Sequence, residues 1–181
     1  MTSLGGSYSG TTAALDSDHV RKVFVNGLVN AHAVEKEALA LINRQLDRLE
    51  SYPELSARLQ QHKTETDRQI ERLDSILSSL SESPSGMKDT VLSVMGNLAA
   101  LGHSMAPDEI LKNSFASFAF ENFEAASYKA LITMAEAGGY TSAVPLLQQT
   151  LNEELAMAQF LDQNLPMVVQ RYLSLGPTAK R

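Results

Sequence analysis

The chain has 181 residues, 44% of them hydrophobic and 20% charged, which suits a single domain with a sizeable core. Its formal net charge of −6 argues against a nucleic-acid partner, because phosphate binding needs a concentrated basic face. It has no cysteine, which excludes disulfides, thiolate catalysis, iron–sulfur clusters and zinc-finger sites. With four histidines (His19, His32, His62, His103), any metal site must rely mainly on carboxylates.

Residues 1–16 lack the basic start and apolar run of a secretory signal and read as a flexible arm. The domain is expected over 17–173, with a loose tail at 174–181. No stretch approaches the roughly 18 apolar residues of a membrane span, so no membrane partner and a cytoplasmic location are expected.

The first helix is predicted over 17–50, capped by Asp16 or Ser17. Its inward stripe reads Val20, Phe24, Gly27, Ala31, Glu35, Ala38, Ile42, Leu49. Ser51-Tyr52-Pro53 breaks the pattern, and a second helix is predicted over 53–80. Its stripe is Leu55, Leu59, His62, Thr66, Gln69, Leu73, Leu77, Leu80, with Glu65 at the edge. After Ser81-Glu82-Ser83-Pro84-Ser85-Gly86 comes a shorter amphipathic segment over 88–104. A third helix, over 108–137, is apolar on most sides. A fourth covers 141–165, where Pro166 should end or kink it before a last piece over 167–173. Two short-linked hairpins joined by one long crossover, here carrying a short extra helix, is the connectivity of a ferritin-like antiparallel four-helix bundle, and the fold class is all-α.

Several glutamates interrupt the inward stripes. Glu35 lies between Ala31 and Ala38, and Glu154 between Leu151 and Ala158. Glu121 and Glu124 are the acids of an otherwise apolar run from Phe115 to Ala135, and at three residues apart they share a face. Burying an unpaired carboxylate costs several kcal/mol unless it is neutralised, and a cluster is worse unless cations enter it. Oxygen ligands suit iron or manganese. Glu35 and Glu65 are thirty residues apart, as are Glu124 and Glu154, which an internal repeat of helix hairpins would produce. The candidate ligands are therefore Glu35, Glu65, Glu121, Glu124, Glu154 and His62, with Gln69, Tyr128 and His32 around them. Alone, Glu65 fits a solvated face as well as a ligand, and His62 and His32 fit hydrogen-bonded structural roles as well as metal binding. Tyr128, one turn from Glu124, fits either a hydrogen bond to a ligand or the core.

Three sets of residues carry a family resemblance. Ala33-Val34-Glu35-Lys36-Glu37-Ala38-Leu39, the run from His62-Lys63-Thr64-Glu65 to Leu73, and Phe120-Glu121-Asn122-Phe123-Glu124 are similar to helix motifs of the bacterial YciE/YciF-type ferritin-like proteins. The resemblance extends into the fourth helix at Glu153-Glu154 and spans about residues 18–165. It implies a ferritin-like fold, a dinuclear iron or manganese centre, a stress association and a homodimer, and it supplies no reaction. Dioxygen or peroxide would be the small molecules such a centre handles. The chain departs from the pattern at Asn122, Met157 and Ala158, and helix two reads His62-x-x-Glu65 where Glu-x-x-His is common. The competing expectation is a non-enzymatic helical stress or scaffold protein with a degenerate, metal-free site.

Overall fold

A computed structural model describes residues 16–84 and 108–175. Among these are four helices and no strand: α1 (Ser17–Leu46), α2 (Pro53–Ser79), α3 (Glu109–Ala137) and α4 (Val144–Leu175). The expected arm, the extra helix over 88–104 with His103, and most of the tail lie outside the described residues.

Local chemistry sets the ends. Asp16 caps α1, its carboxylate accepting from the amides of Asp18 and His19. α1 stops at Leu46, four residues before the expected end, because Leu49 is buried from within the turn and so continued the apolar pattern past the helix. Gly139 closes α3 in the left-handed region (φ 74°), with Tyr140 N donating to Ala135 O at 2.8 Å and Gly139 N to Glu136 O at 3.2 Å. The same pair of bonds closes α2, but there Ser81 takes the positive φ (59°).

The fourth helix departs most from expectation. It begins at Val144 rather than 141, after a turn, and runs through Pro166 to Leu175. Proline deprives the Asp162 carbonyl of its helical donor. Both residues face solvent, where water can replace that bond, and burial of Val168 in the core holds the continuation in place.

α1 packs on α2 and α3, and α4 packs on α3 and α2, so the helices form a closed square. Cross-helix contacts fix the directions. Arg48 and Gln45 at the end of α1 meet Glu109 and Ser117 near the start of α3, while Phe24 stacks on Tyr140 beyond the end of α3 (4.8 Å between centroids). Every neighbouring pair is therefore antiparallel. Residues 80–108 join opposite ends of the bundle, which is the expected crossover connectivity. At Gly27 a Cβ would lie 2.8 Å from Leu131 Cδ2, so the missing side chain lets α1 and α3 approach closely.

Two apolar clusters fill the ends. One gathers Phe24, Leu28, Leu73, Leu77, Leu131 and Leu147, the other Ile42, Leu55, Leu59, Met157 and Leu161. Between them lies a buried polar belt. The outer face of α3 leaves Phe115, Phe118 and Phe123 exposed, as its all-round apolar sequence suggested. No described helix is long and apolar enough to cross a membrane.

Candidate metal centre

The belt consists of one to three polar residues from the inner stripe of each helix. Glu35 comes from α1, His62, Thr66 and Gln69 from α2, Glu121 and Glu124 from α3, and Thr150 and Glu154 from α4. All are at most 5% exposed. Each keeps the three- and four-residue spacing of its helix's apolar stripe, so packing of the neighbouring leucines drives the carboxylates inward.

His62 Nε2 lies 3.1 Å from Glu121 Oε2 and 3.8 Å from Glu154 Oε2, and one ligand atom from each of the three falls within 4.8 Å of the others. On its other side His62 Nδ1 meets Glu65 Oε2 at 3.2 Å. Burial alone would lower the imidazole pKa, but the charge of Glu121 and hydrogen bonds to Glu121 and Glu65 outweigh it and raise it to about 9. Burial also works against ionised Glu65, yet bonds from His62 and Gln61 and the Arg58 guanidinium, 3.0 Å away, hold its pKa at about 2.

The deeper carboxylates behave oppositely. Burial raises Glu35 to about 8, against the opposing effects of Tyr128, which donates its hydroxyl to Glu35 Oε1, and of His62. Glu124 is pushed well above the carboxylate range by burial and then by the charges of Glu35 and Glu121. Burial and then Glu124, Glu121 and Glu35 do the same to Glu154. Tyr128 is raised by burial and by Glu35, so it stays a neutral donor. Gln69 donates to Glu154 Oε1 and, at 3.1 Å, to Glu153 Oε2. Glu124 Oε1, Glu154 Oε2 and Gln69 Oε1 are buried and accept no hydrogen bond, and Glu121 Oε2 has only the His62 imidazole beside it.

Measured against the sequence, Glu35, Glu121, Glu124, Glu154 and His62 meet in the belt, with Gln69 and Tyr128 bonded to its carboxylates. Glu65 stands outside the three-residue group, behind the histidine, its side chain 15% exposed. His32 points elsewhere: its Nε2 pairs with Asp74 Oδ1 at 3.2 Å, and burial lowers its pKa despite that carboxylate. The departures from the family pattern have plain positions. Met157 packs in an apolar end cluster, and Asn122 is exposed and bonds the Phe118 carbonyl of its own helix. Three charged residues at the margin were not singled out from the sequence. Arg72 holds Glu153 in a two-pronged pair (2.7 and 2.8 Å), and Arg58 holds Glu65. They sit at stripe edges, where periodicity does not distinguish an inter-helix pair from a solvated charge.

The donor set suits a hard or borderline divalent cation. It is rich in oxygen, it includes one imidazole already oriented by a carboxylate, and several of its buried oxygens have no partner of their own.

Comparison with known proteins agrees with this architecture. The chain is 31% identical to Protein YciF of Escherichia coli (strain K12) over 148 residues, covering 76% of this chain and 84% of that protein. A crystal structure of a Xanthomonas campestris protein superposes with a TM-score of 0.72 at 31% identity, covering 86% of this chain and 96% of that one. That of the E. coli stress protein YciF gives 0.70 at 30% identity, covering 83% and 97%. A putative structural protein from Rhodopseudomonas palustris, YcfI, shares the fold at 24% identity with a TM-score of 0.69, covering 84% and 96%. Residues 19–174 match the family described as Domain of unknown function (DUF892). The chain belongs to this family of YciF-like helical-bundle proteins.

Proposed function

We propose that this protein is a ferritin-like metal-binding protein whose mid-bundle belt holds a carboxylate-rich dinuclear iron or manganese centre, acting in oxidative or general stress. One observation carries the reading: the belt buries partnerless carboxylate oxygens from α3 and α4 beside an imidazole nitrogen, at a depth where nothing else in the fold needs acids. The stress setting rests on the likeness to the E. coli stress protein YciF.

Glu35, Glu121, Glu124, Glu154 and His62 Nε2 face the centre. Glu65 fixes the imidazole through Nδ1, which sets the tautomer that presents Nε2. Tyr128 orients Glu35, and Gln69 orients Glu154. Before binding, Glu35, Glu124 and Glu154 hold protons and His62 is charged, so the belt stores its compensation as protons and gives them up as ligands are recruited. Glu35, Glu121, Glu124, Glu154 and His62 would hold two such ions, whose chemistry would be to supply electrons for reducing dioxygen or peroxide. The surrounding leucines keep bulk water out. The test is anaerobic titration with ferrous iron followed by oxygen. An oxygen-dependent absorbance saturating at two iron per chain is expected, and its absence overturns the oxidase reading.

A second reading has its own observation. Without metal the belt already pairs internally, Tyr128 with Glu35, His62 with Glu65 and Glu121, Gln69 with Glu154. A scaffold that has lost its centre would look the same and would bind no metal on reconstitution. In either case the exposed phenylalanines of α3 support a homodimer through that face, to be checked by sedimentation of Phe115→Ser/Phe118→Ser.

A further inference from the structure

We infer that the cleft between α2 and α4 is the route by which divalent cations reach the belt. Glu153 is the receiving carboxylate, Gln69 the relay, and Arg72 and Arg58 the latch that holds the route shut. The inference rests on the metal reading above.

The cleft has a volume of about 550 Å³, opens to solvent and is lined by Arg58, Gln61, Glu65 and Glu153 together with Pro145 and Ala156. Glu153 and Glu65 stand at its inner wall with side chains 18% and 15% exposed. Each touches the belt from outside, Glu65 through His62 Nδ1 and Glu153 through Gln69 Nε2. Gln69 donates to Glu153 and Glu154 together, so one amide separates a carboxylate at the cleft from one that solvent does not reach. The amide's own Oε1 is buried and partnerless, a neutral oxygen on the same side chain whose nitrogen bridges the two acids.

The arginines complete the device. Arg72 takes both oxygens of Glu153 and also donates to Thr150 Oγ1 at 3.0 Å, while Arg58 takes Glu65. Both guanidinium groups are nearly buried, at 11% and 12%; Arg58 lines the cleft, and Arg72 occupies the carboxylate of Glu153, which lines it. A cation must compete with them for Glu153 and Glu65. A second cavity, about 400 Å³ at the bundle end near Arg48 and Glu109, is a poor alternative. Its polar residues Gln45 and Ser117, and Arg48 and Glu109, bond each other and not the belt, while Leu55, Leu59 and Leu161 offer a cation no replacement for its water.

Stopped-flow binding of cobalt(II) to the full chain separates a route from a ligand. Ala156 lines the cleft, is exposed and has no part in the belt. Ala156→Trp should slow binding and release by the same factor and leave the dissociation constant unchanged, because an obstacle on a path alters only rates. Glu153→Gln should slow binding and Arg72→Gln should speed it, each by roughly tenfold, because they remove attraction and repulsion respectively. Circular dichroism and final stoichiometry confirm that each variant is folded. Unaltered rates in Ala156→Trp overturn the route. A Glu153→Gln variant that binds at the normal rate but releases faster also overturns it, since Glu153 would then be a ligand. Failure of the unmodified chain to bind cobalt overturns the metal reading itself, a result distinct from either.

Discussion

Leu28 and Glu35 lie about two turns apart on the inner stripe of α1 and are equally hidden, 0% and 1% exposed. Around Leu28 each neighbour removes more apolar surface from water, and burial stabilises the fold. Around Glu35 the same depth raises the cost of charge, and the belt persists by holding protons, one tyrosine hydroxyl and one imidazolium. The bundle ends carry stability; the middle holds groups that burial penalises, and those are the groups we propose take a cation.

The largest effect that sharpens this contrast is with pH. Glu35 retains its proton to about pH 8, against 4.5 ordinarily, so as pH rises between these values the unfolded chain ionises first and the fold loses stability. His62 adds stability below its ordinary 6.5 that is lost as pH climbs through about 9. Glu65 acts in the other direction, its contribution present above 4.5 and lost as pH falls towards about 2. The metal-free protein should therefore be most stable near pH 5 and lose on the order of 5 kcal/mol by pH 9 in denaturant titrations. Metal affinity should rise over the same interval, because binding releases those protons. A metal-free protein that strengthens towards pH 9 contradicts this account of the belt.

Next in size, Phe24→Ala empties part of an apolar end and should cost about 3–5 kcal/mol with or without metal. Glu124→Leu inverts that outcome. Replacing a buried acid by a similar apolar volume should stabilise the metal-free protein by about 1–4 kcal/mol while abolishing metal binding. Thermal melts with and without added manganese measure both, and a large destabilisation by Glu124→Leu shows that the carboxylate serves the fold. Smallest is Ser81→Gly at the end of α2. Relief of the left-handed strain of about 1–2 kcal/mol, less glycine's extra freedom in the unfolded chain, should leave a gain of about 0.5 kcal/mol far from the belt, with metal binding unchanged.

The four helices and their inward stripes were legible because packing imposes a period that leucine and alanine follow closely. Leu49 and Pro166 show where that reading ends: one continues an apolar pattern inside a turn, and the other is tolerated because its freed carbonyl faces solvent. Glu35, Glu121, Glu124 and Glu154 stood out because acids rarely fall on an apolar stripe, where they need either a cation or a buried partner such as an arginine or a helix N-terminus. Glu65 and His32 did not resolve. A small rotation at a stripe's edge decides whether a side chain turns inward, to Arg58 or to Asp74, and no single-helix pattern contains that rotation. The Arg72–Glu153 pair was invisible for the same reason, being a property of two helices at once.

The central claim is that the belt is built for metal, and elemental analysis of protein purified without chelator tests it most directly, beside a Glu35→Ala/Glu154→Ala variant. The account predicts two iron or manganese ions per chain, lost in the variant with the fold retained. No metal in either protein, even after anaerobic reconstitution, would contradict it and leave a helical scaffold with a self-neutralised middle.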